Sequence, residues 1–159
     1  VLVDLDKTLR DQILIFDNKE NVSIEYIGTE NALVMAPRPQ LIRVFVNLIA
    51  NAIQAVEIKQ KEAIGHGETP IDGKVVIALR NSNSDGYYDI VVDDNGHGVK
   101  EENLGRLFTP NFTTKSGGTG LGLAICRNII EKCEGTITYS KSFGLGGASF
   151  TVTIPKLKQ

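Results

Sequence analysis

The sequence predicts an α+β domain, a two-layer sandwich with helices on one face of a mixed, mostly antiparallel sheet. Three observations predict it. Apolar residues recur at three- and four-residue spacing over 41–57 and again over 120–132, which is the period of an amphipathic helix. Valine-, isoleucine- and tyrosine-rich runs come in pairs, at 74–80 with 87–93 and at 135–140 with 148–154. The strands and helices also lack the regular βαβ repeat that a wound parallel sheet requires.

In chain order, Val1, Leu2, Leu5, Leu9, Ile13 and Phe16 mark a first helix ending near Asp17 and Asn18. Residues 21–27 and 33–36 are short β-rich runs split by 28–31, which predicts a hairpin whose second strand is stopped by Pro37 and Pro39. The helix over 41–57 follows. Residues 59–72 are polar, hold Gly65, Gly67 and Pro70 and show no period, so an exposed loop carrying a solvent-facing His66 is expected. The runs at 74–80 and 87–93, joined through Asp85-Gly86, predict an antiparallel hairpin. Residues 94–118 have little pattern, and so long a loop in a compact domain is usually functional. A lid at about 99–117 is expected, then the helix over 120–132 and two closing strands around Gly144, Gly146 and Gly147.

Length and composition bound the function. The chain has 159 residues, 42% hydrophobic and 23% charged, which fits one folded domain over 1–159. Seventeen Lys and Arg against nineteen Asp and Glu leave a net charge of -2 with no polybasic block, which argues against nucleic acid as a partner. No run of about 18 apolar residues is present to span a bilayer and no signal sequence opens the chain, so a cytoplasmic protein or cytosolic portion is expected. Cys126 and Cys133 lie two helical turns apart, too far to pair with each other. Two histidines, His66 and His97, without CxxC or HExxH spacing give a zinc site little support.

Four segments carry chemistry. Arg43, Asn47, Asn51 and Gln54 fall on one stripe of the central helix. A surface helix shows such a stripe too, but asparagine is a poor mid-helix residue, and two of them one turn apart can offer amide oxygens to a hard cation such as Mg²⁺. Asp93-Asp94-Asn95-Gly96-His97-Gly98 follows a strand directly, which places a carboxylate at a strand end beside glycines that permit close approach; taken alone, it is ordinary turn chemistry. Here His97 reads as a lid residue facing solvent and not as a base. Between 107 and 115, Phe108 reads first as tucking the loop against the core, while Thr113, Thr114 and Lys115 could close over a triphosphate with the lysine as a point charge. Gly117-Gly118-Thr119-Gly120-Leu121-Gly122 opens a helix, where free N–H groups and the helix dipole favour phosphate. Neither the dinucleotide fingerprint nor the P-loop pattern occurs.

In this order and spacing the segments closely resemble the ATP-binding catalytic domain of bacterial sensor histidine kinases, in the superfamily that includes gyrase. Asn47-Leu48-Ile49-Ala50-Asn51-Ala52 resembles the asparagine box, residues 94–98 the first glycine box, 107–112 the phenylalanine box and 118–124 the second glycine box. The resemblance implies the Bergerat fold, about five strands backed by three helices, and ATP with Mg²⁺ as cofactors. It implies Asn51 as the magnesium ligand, Asn47 near the phosphates and Asp94 as acceptor of the adenine amino group. Asn47, Asn51 and Lys115 are thus the expected catalytic residues. Nucleotide contacts are expected from Ala52, Gly96, Gly98, Val99 and Phe108, from Thr114 and Lys115 in the lid, and from Gly118, Thr119, Gly120, Leu121 and Gly122. An amide at 47 cannot activate water as the glutamate of the related ATPases does, so phosphoryl transfer to a protein is favoured over hydrolysis; the same difference sets the chain apart from serine kinases that share the fold.

Gln54, His97 and Ala148 depart from the residues common in these kinases. Neither histidine fits the family's phosphoacceptor. The expectation is therefore a fragment, monomeric alone and unable to phosphorylate itself. Its partners would be a dimerisation and phosphoacceptor domain within a homodimeric kinase, and a response regulator receiver domain. The alternative is a nucleotide-binding interaction module without phosphotransfer.

Overall fold

A computed structural model describes residues 1–110 and 122–158. Among the described residues, seven strands and three helices are ordered β1 (Leu2–Asp4), α1 (Leu5–Phe16), β2 (Val22–Ile27), β3 (Leu33–Met35), α2 (Arg38–Gly65), β4 (Gly73–Asn81), β5 (Tyr87–Asp94), α3 (Gly122–Lys132), β6 (Thr136–Lys141) and β7 (Ala148–Pro155). A 3₁₀ turn occupies Glu101–Arg106. The main sheet has the order β2-β4-β5-β7-β6, antiparallel except for the parallel β2–β4 pair, and β1 pairs with β3 apart from it.

The three helices cover one face of the sheet, as the α+β expectation required. Alternation along β4 buries Gly73, Val75, Ile77 and Leu79 and leaves Lys74 and Arg80 to water. Across the ladder, Ile77, Val92, Phe150 and Tyr139 stand in one row on the helix side, with Leu79, Ile90, Val152 and Ile137 in the next. Against these rows α2 sets Leu41, Val44, Phe45, Leu48, Ile49, Ile53 and Val56. This stripe is why α2, long and apolar enough by composition to cross a bilayer, serves as the core helix here.

Three local expectations are corrected. The first helix begins at Leu5 and not at Val1, because Asp4 caps it, its carboxylate accepting from the Lys7 N–H at 3.2 Å, while Leu2 and Val3 pair with Met35 and Val34 as a strand. The runs over 21–27 and 33–36 are not a hairpin. β3 goes to β1, and β2 runs parallel to β4 with α2 as the crossover between them. The loop expected over 59–72 is shorter, because α2 continues to Gly65 through lysine, glutamine and glutamate, all good helix formers. Buried Gln60 anchors that extension, donating to the carbonyls of Asn21 at 2.8 Å and Ile71 at 3.1 Å. His66 caps the helix end and is exposed, as expected. The hairpin of β4 and β5 and the closing pair of β6 and β7 stand where the sequence predicts them.

Candidate functional site

The alternation that buries Ile90 and Val92 carries one step further to Asp94, so the last residue of β5 points its carboxylate toward the helices. Asp94 is only 2% exposed. A buried carboxylate needs donors, and here Oδ1 accepts the N–H of Gly96 at 2.9 Å and that of Ala148 at 3.2 Å, while the Asp94 carbonyl accepts from Gly147 at 3.1 Å. Two chain segments, the loop after β5 and the start of β7, thus converge on one side chain. Two glycines allow it. A Cβ on Gly96 would stand 2.9 Å from the Ala55 carbonyl of α2, and one on Gly147 would stand 2.5 Å from the Asp94 carbonyl oxygen and 2.7 Å from the Gly96 nitrogen.

Asn95, one residue on, faces the other way and holds the loop to the sheet: it accepts from the Lys74 N–H at 2.9 Å and donates to the Asp72 carbonyl at 2.8 Å. His97 Nε2 lies 2.6 Å from Glu62 Oε2, with both side chains half exposed, so it faces solvent as expected and ties the loop to the last turns of α2. Gly98 has φ of +77°, a left-handed conformation that favours glycine, and turns the chain past the Gly147 carbonyl toward β6.

From the Gly96 seat at Ala55, positions 51 and 47 follow at one and two turns along the same side of α2, about 12 Å in all at 1.5 Å per residue. Asn47 and Asn51 are both half-buried. Asn47 Nδ2 donates to Cys126 Sγ at 3.7 Å, and its Oδ1 is 4.0 Å from where a Cβ of Gly122 would be. The stripe therefore runs from the Asp94 loop to the start of α3. Burial pushes the Cys126 thiol up to about 11, against a smaller lowering by the Asn47 hydrogen bond, which keeps it a neutral partner for that amide.

Of the expected nucleotide residues, Asn47, Asn51, Asp94, Gly96 and Gly122 lie along this stripe, and Gly98 follows in the loop after β5. Ala52 does not: it is 4% exposed and its methyl lies in the core, one position round the helix from Asn51. Val99 packs against the core and gives its N–H to Tyr139. Phe108 stands edge-on to Phe150 with centroids 6.3 Å apart and Arg127 over its ring, which is the core-tucking role that the sequence suggested first. Thr113, Thr114, Lys115, Gly118, Thr119, Gly120 and Leu121 lie outside the described residues. Gln54 is exposed, and Ala148 enters through its backbone. The sequence reading missed Ala55 and Gly147. The first was legible as the next member of the 47–51 stripe; the second, in a glycine-rich turn, had no distinguishing signal.

A buried carboxylate at a strand end, a helix stripe with two asparagines and the start of a second helix beside it point to a nucleotide-binding domain. Comparison with known proteins identifies the class. Residues 36–158 match the family of histidine kinase-, DNA gyrase B- and HSP90-like ATPases, and the chain belongs to it. It is 38% identical over 122 residues to the sensor histidine kinase ZraS of Escherichia coli K12 and 33% identical over 138 residues to the sensor protein FixL of Bradyrhizobium diazoefficiens. Those matches cover 77% and 86% of this chain but only 23% and 25% of the relatives, so it spans about a quarter of their length. The catalytic domain of histidine kinase ThkA, in a nucleotide-free form, superposes with a TM-score of 0.80 at 30% identity, covering 98% of this chain and 95% of that one.

Proposed function

We propose that this chain is the ATP-binding catalytic domain of a sensor histidine kinase, delivering the γ-phosphate of ATP to a histidine on a dimerisation and phosphoacceptor domain. The observation that carries the reading is Asp94. Its carboxylate is held by backbone N–H groups at the closed end of the cleft, oriented to accept from an adenine amino group. From there the stripe through Asn51 and Asn47 leads to the α3 N-terminus, whose dipole favours phosphate.

Asn51 and Asn47 fit Mg²⁺ in their chemistry, since amide oxygens suit a hard cation that otherwise keeps water and phosphate. Among the described residues no cluster of three His, Cys, Asp or Glu offers another metal site. Mg²⁺ bound there would neutralise phosphate charge. An amide at 47 orients without removing a proton, which suits transfer to a protein acceptor better than activation of water. Lys115 and Thr114, within the lid proposed at about 99–117, would complete the phosphate contacts, together with Gly118, Thr119, Gly120 and Leu121. The whole kinase would act as a homodimer on the cytoplasmic side and pass the phosphate to a response regulator receiver domain.

Calorimetric titration of the chain with ADP, with and without Mg²⁺, beside Asp94→Asn tests the reading. Asparagine keeps an oxygen for the Gly96 and Ala148 N–H groups, so the variant should fold. The expected outcome is saturable, Mg²⁺-strengthened binding that the substitution weakens at least about a hundredfold, as loss of a buried specific acceptor does. A folded wild-type chain that binds no ADP would overturn the reading and favour an interaction module.

A further inference from the structure

We infer that Tyr139 is a positioning residue for the lid, its hydroxyl holding the first lid residue in place. On β6 the alternation turns Ile137 and Tyr139 to the helix side of the sheet, where an apolar residue would suffice for packing. The Tyr139 ring is used in that way, angled at 61° to Phe150 with centroids 5.3 Å apart, across the register that pairs the two residues. The hydroxyl does something else: it accepts the N–H of Val99 at 3.0 Å, from a residue forty positions earlier in the chain. Just before Val99, the left-handed Gly98 brings the backbone close enough that a Cβ there would stand 3.3 Å from the same oxygen.

Phe150 thus supports both ends of the segment between the Asp94 loop and the rest of the lid. Its ring carries Tyr139, which fixes Val99 at the near end, and Phe108, which packs edge-on at the far end. The 3₁₀ turn Glu101–Arg106 is strung between these two anchors. The far anchor is a ring contact with no directional bond, whereas the near one is a directional hydrogen bond that fixes where the segment leaves the Asp94 loop. The inference rests on the nucleotide-site reading only for the direction of the effect on ATP.

Tyr139→Phe keeps the ring and removes the hydroxyl, whereas Tyr139→Ala removes both. With the nucleotide-free chain, amide exchange followed by NMR should show the Val99 N–H exchanging about fivefold faster in Tyr139→Phe, the effect of losing one net hydrogen bond. Calorimetry should show Mg-ATP affinity falling by a similar factor, with the thermal midpoint kept. Tyr139→Ala should lose thermal stability as well, through the lost packing. Unchanged Val99 exchange in Tyr139→Phe would overturn the inference, and so would faster exchange with unchanged ATP affinity in a wild-type background that binds ATP. A wild-type chain that binds no ATP counts against the nucleotide-site reading, while the exchange comparison still decides what holds Val99.

Discussion

The two ends of the proposed nucleotide site are built by different means. At the strand end, Asp94 is buried, bonded to two backbone N–H groups and packed against Gly147, while Gly96 of the same loop sits against the Ala55 backbone, so backbone atoms crowd it on several sides. At the helix end, Asn47 and Asn51 are side chains on the half-exposed face of α2, and Asn47 is steadied by a long N–H···S contact. Under the proposed function, the difference suits the two parts of a nucleotide. A base is flat, uncharged and the same before and after transfer, so a rigid slot recognises it. The phosphates and their cation change during reaction, and their partners must tolerate that change.

The sharpest way to break this contrast is to crowd the strand end. A methyl group at 147 would meet the Asp94 carbonyl and the Gly96 nitrogen, both backbone atoms that cannot swing aside. Gly147→Ala is expected to cost about 1–3 kcal/mol of stability, the usual penalty of overpacking, and to weaken ADP binding more than tenfold by displacing Asp94. Gly144→Ala, in the same turn but with nothing within 4 Å of the added Cβ, is the control and should bind ADP as the wild type does. Denaturant midpoints and calorimetry on the pair measure both effects. Equal binding by the two variants would mean that the Asp94 loop is softer than its contacts imply.

At the helix end the same approach predicts less. Cys126→Ala removes the sulfur that accepts from Asn47 and leaves a small void under α2, so a loss of about 1–2 kcal/mol in stability is expected, as for other small core truncations. Mg-ADP binding should weaken only about threefold, because Asn47 can turn to water. A loss as large as that of Gly147→Ala would show that both ends are equally rigid.

The contrast also explains what the sequence made legible. The helix stripe could be read because 47 and 51 follow the helical period, and Asp94 because it closes an apolar strand beside glycines. Periodicity is local, and both features are local. The pairing of β3 with β1, and of β2 with β4, depends on which edge lies open after α2 has crossed over, and a β-rich run of three to six residues carries no such information. The extension of α2 to Gly65 was hidden for a related reason: its polar turns are held by Gln60 reaching the carbonyls of Asn21 and Ile71, partners thirty-nine and eleven residues away. Gly147 was indistinguishable from Gly144 and Gly146 until the fold set one of them against Asp94.

Alkaline pH separates the two ends without a mutation. Burial raises the Cys126 thiol from its ordinary 9.0 to about 11, and partial burial raises Cys133 as well. Between those values the unfolded chain has released the Cys126 proton and the folded chain still holds it, so the folded state binds more protons and stability falls as pH rises. The contribution is complete below pH 9 and lost on approaching 11, amounting to about 1 kcal/mol at pH 10 for Cys126 alone. Tyr26, raised by burial and then by its hydrogen bond to Asp6, steepens the fall above pH 10. Urea midpoints at pH 8, 9 and 10 should therefore decline, and Cys126→Ala should decline less while remaining the less stable protein at pH 8. If the wild-type midpoint held level to pH 10, the thiol beneath Asn47 would have to be open to water, and the helix end of the cleft would be looser still than its one sulfur contact suggests.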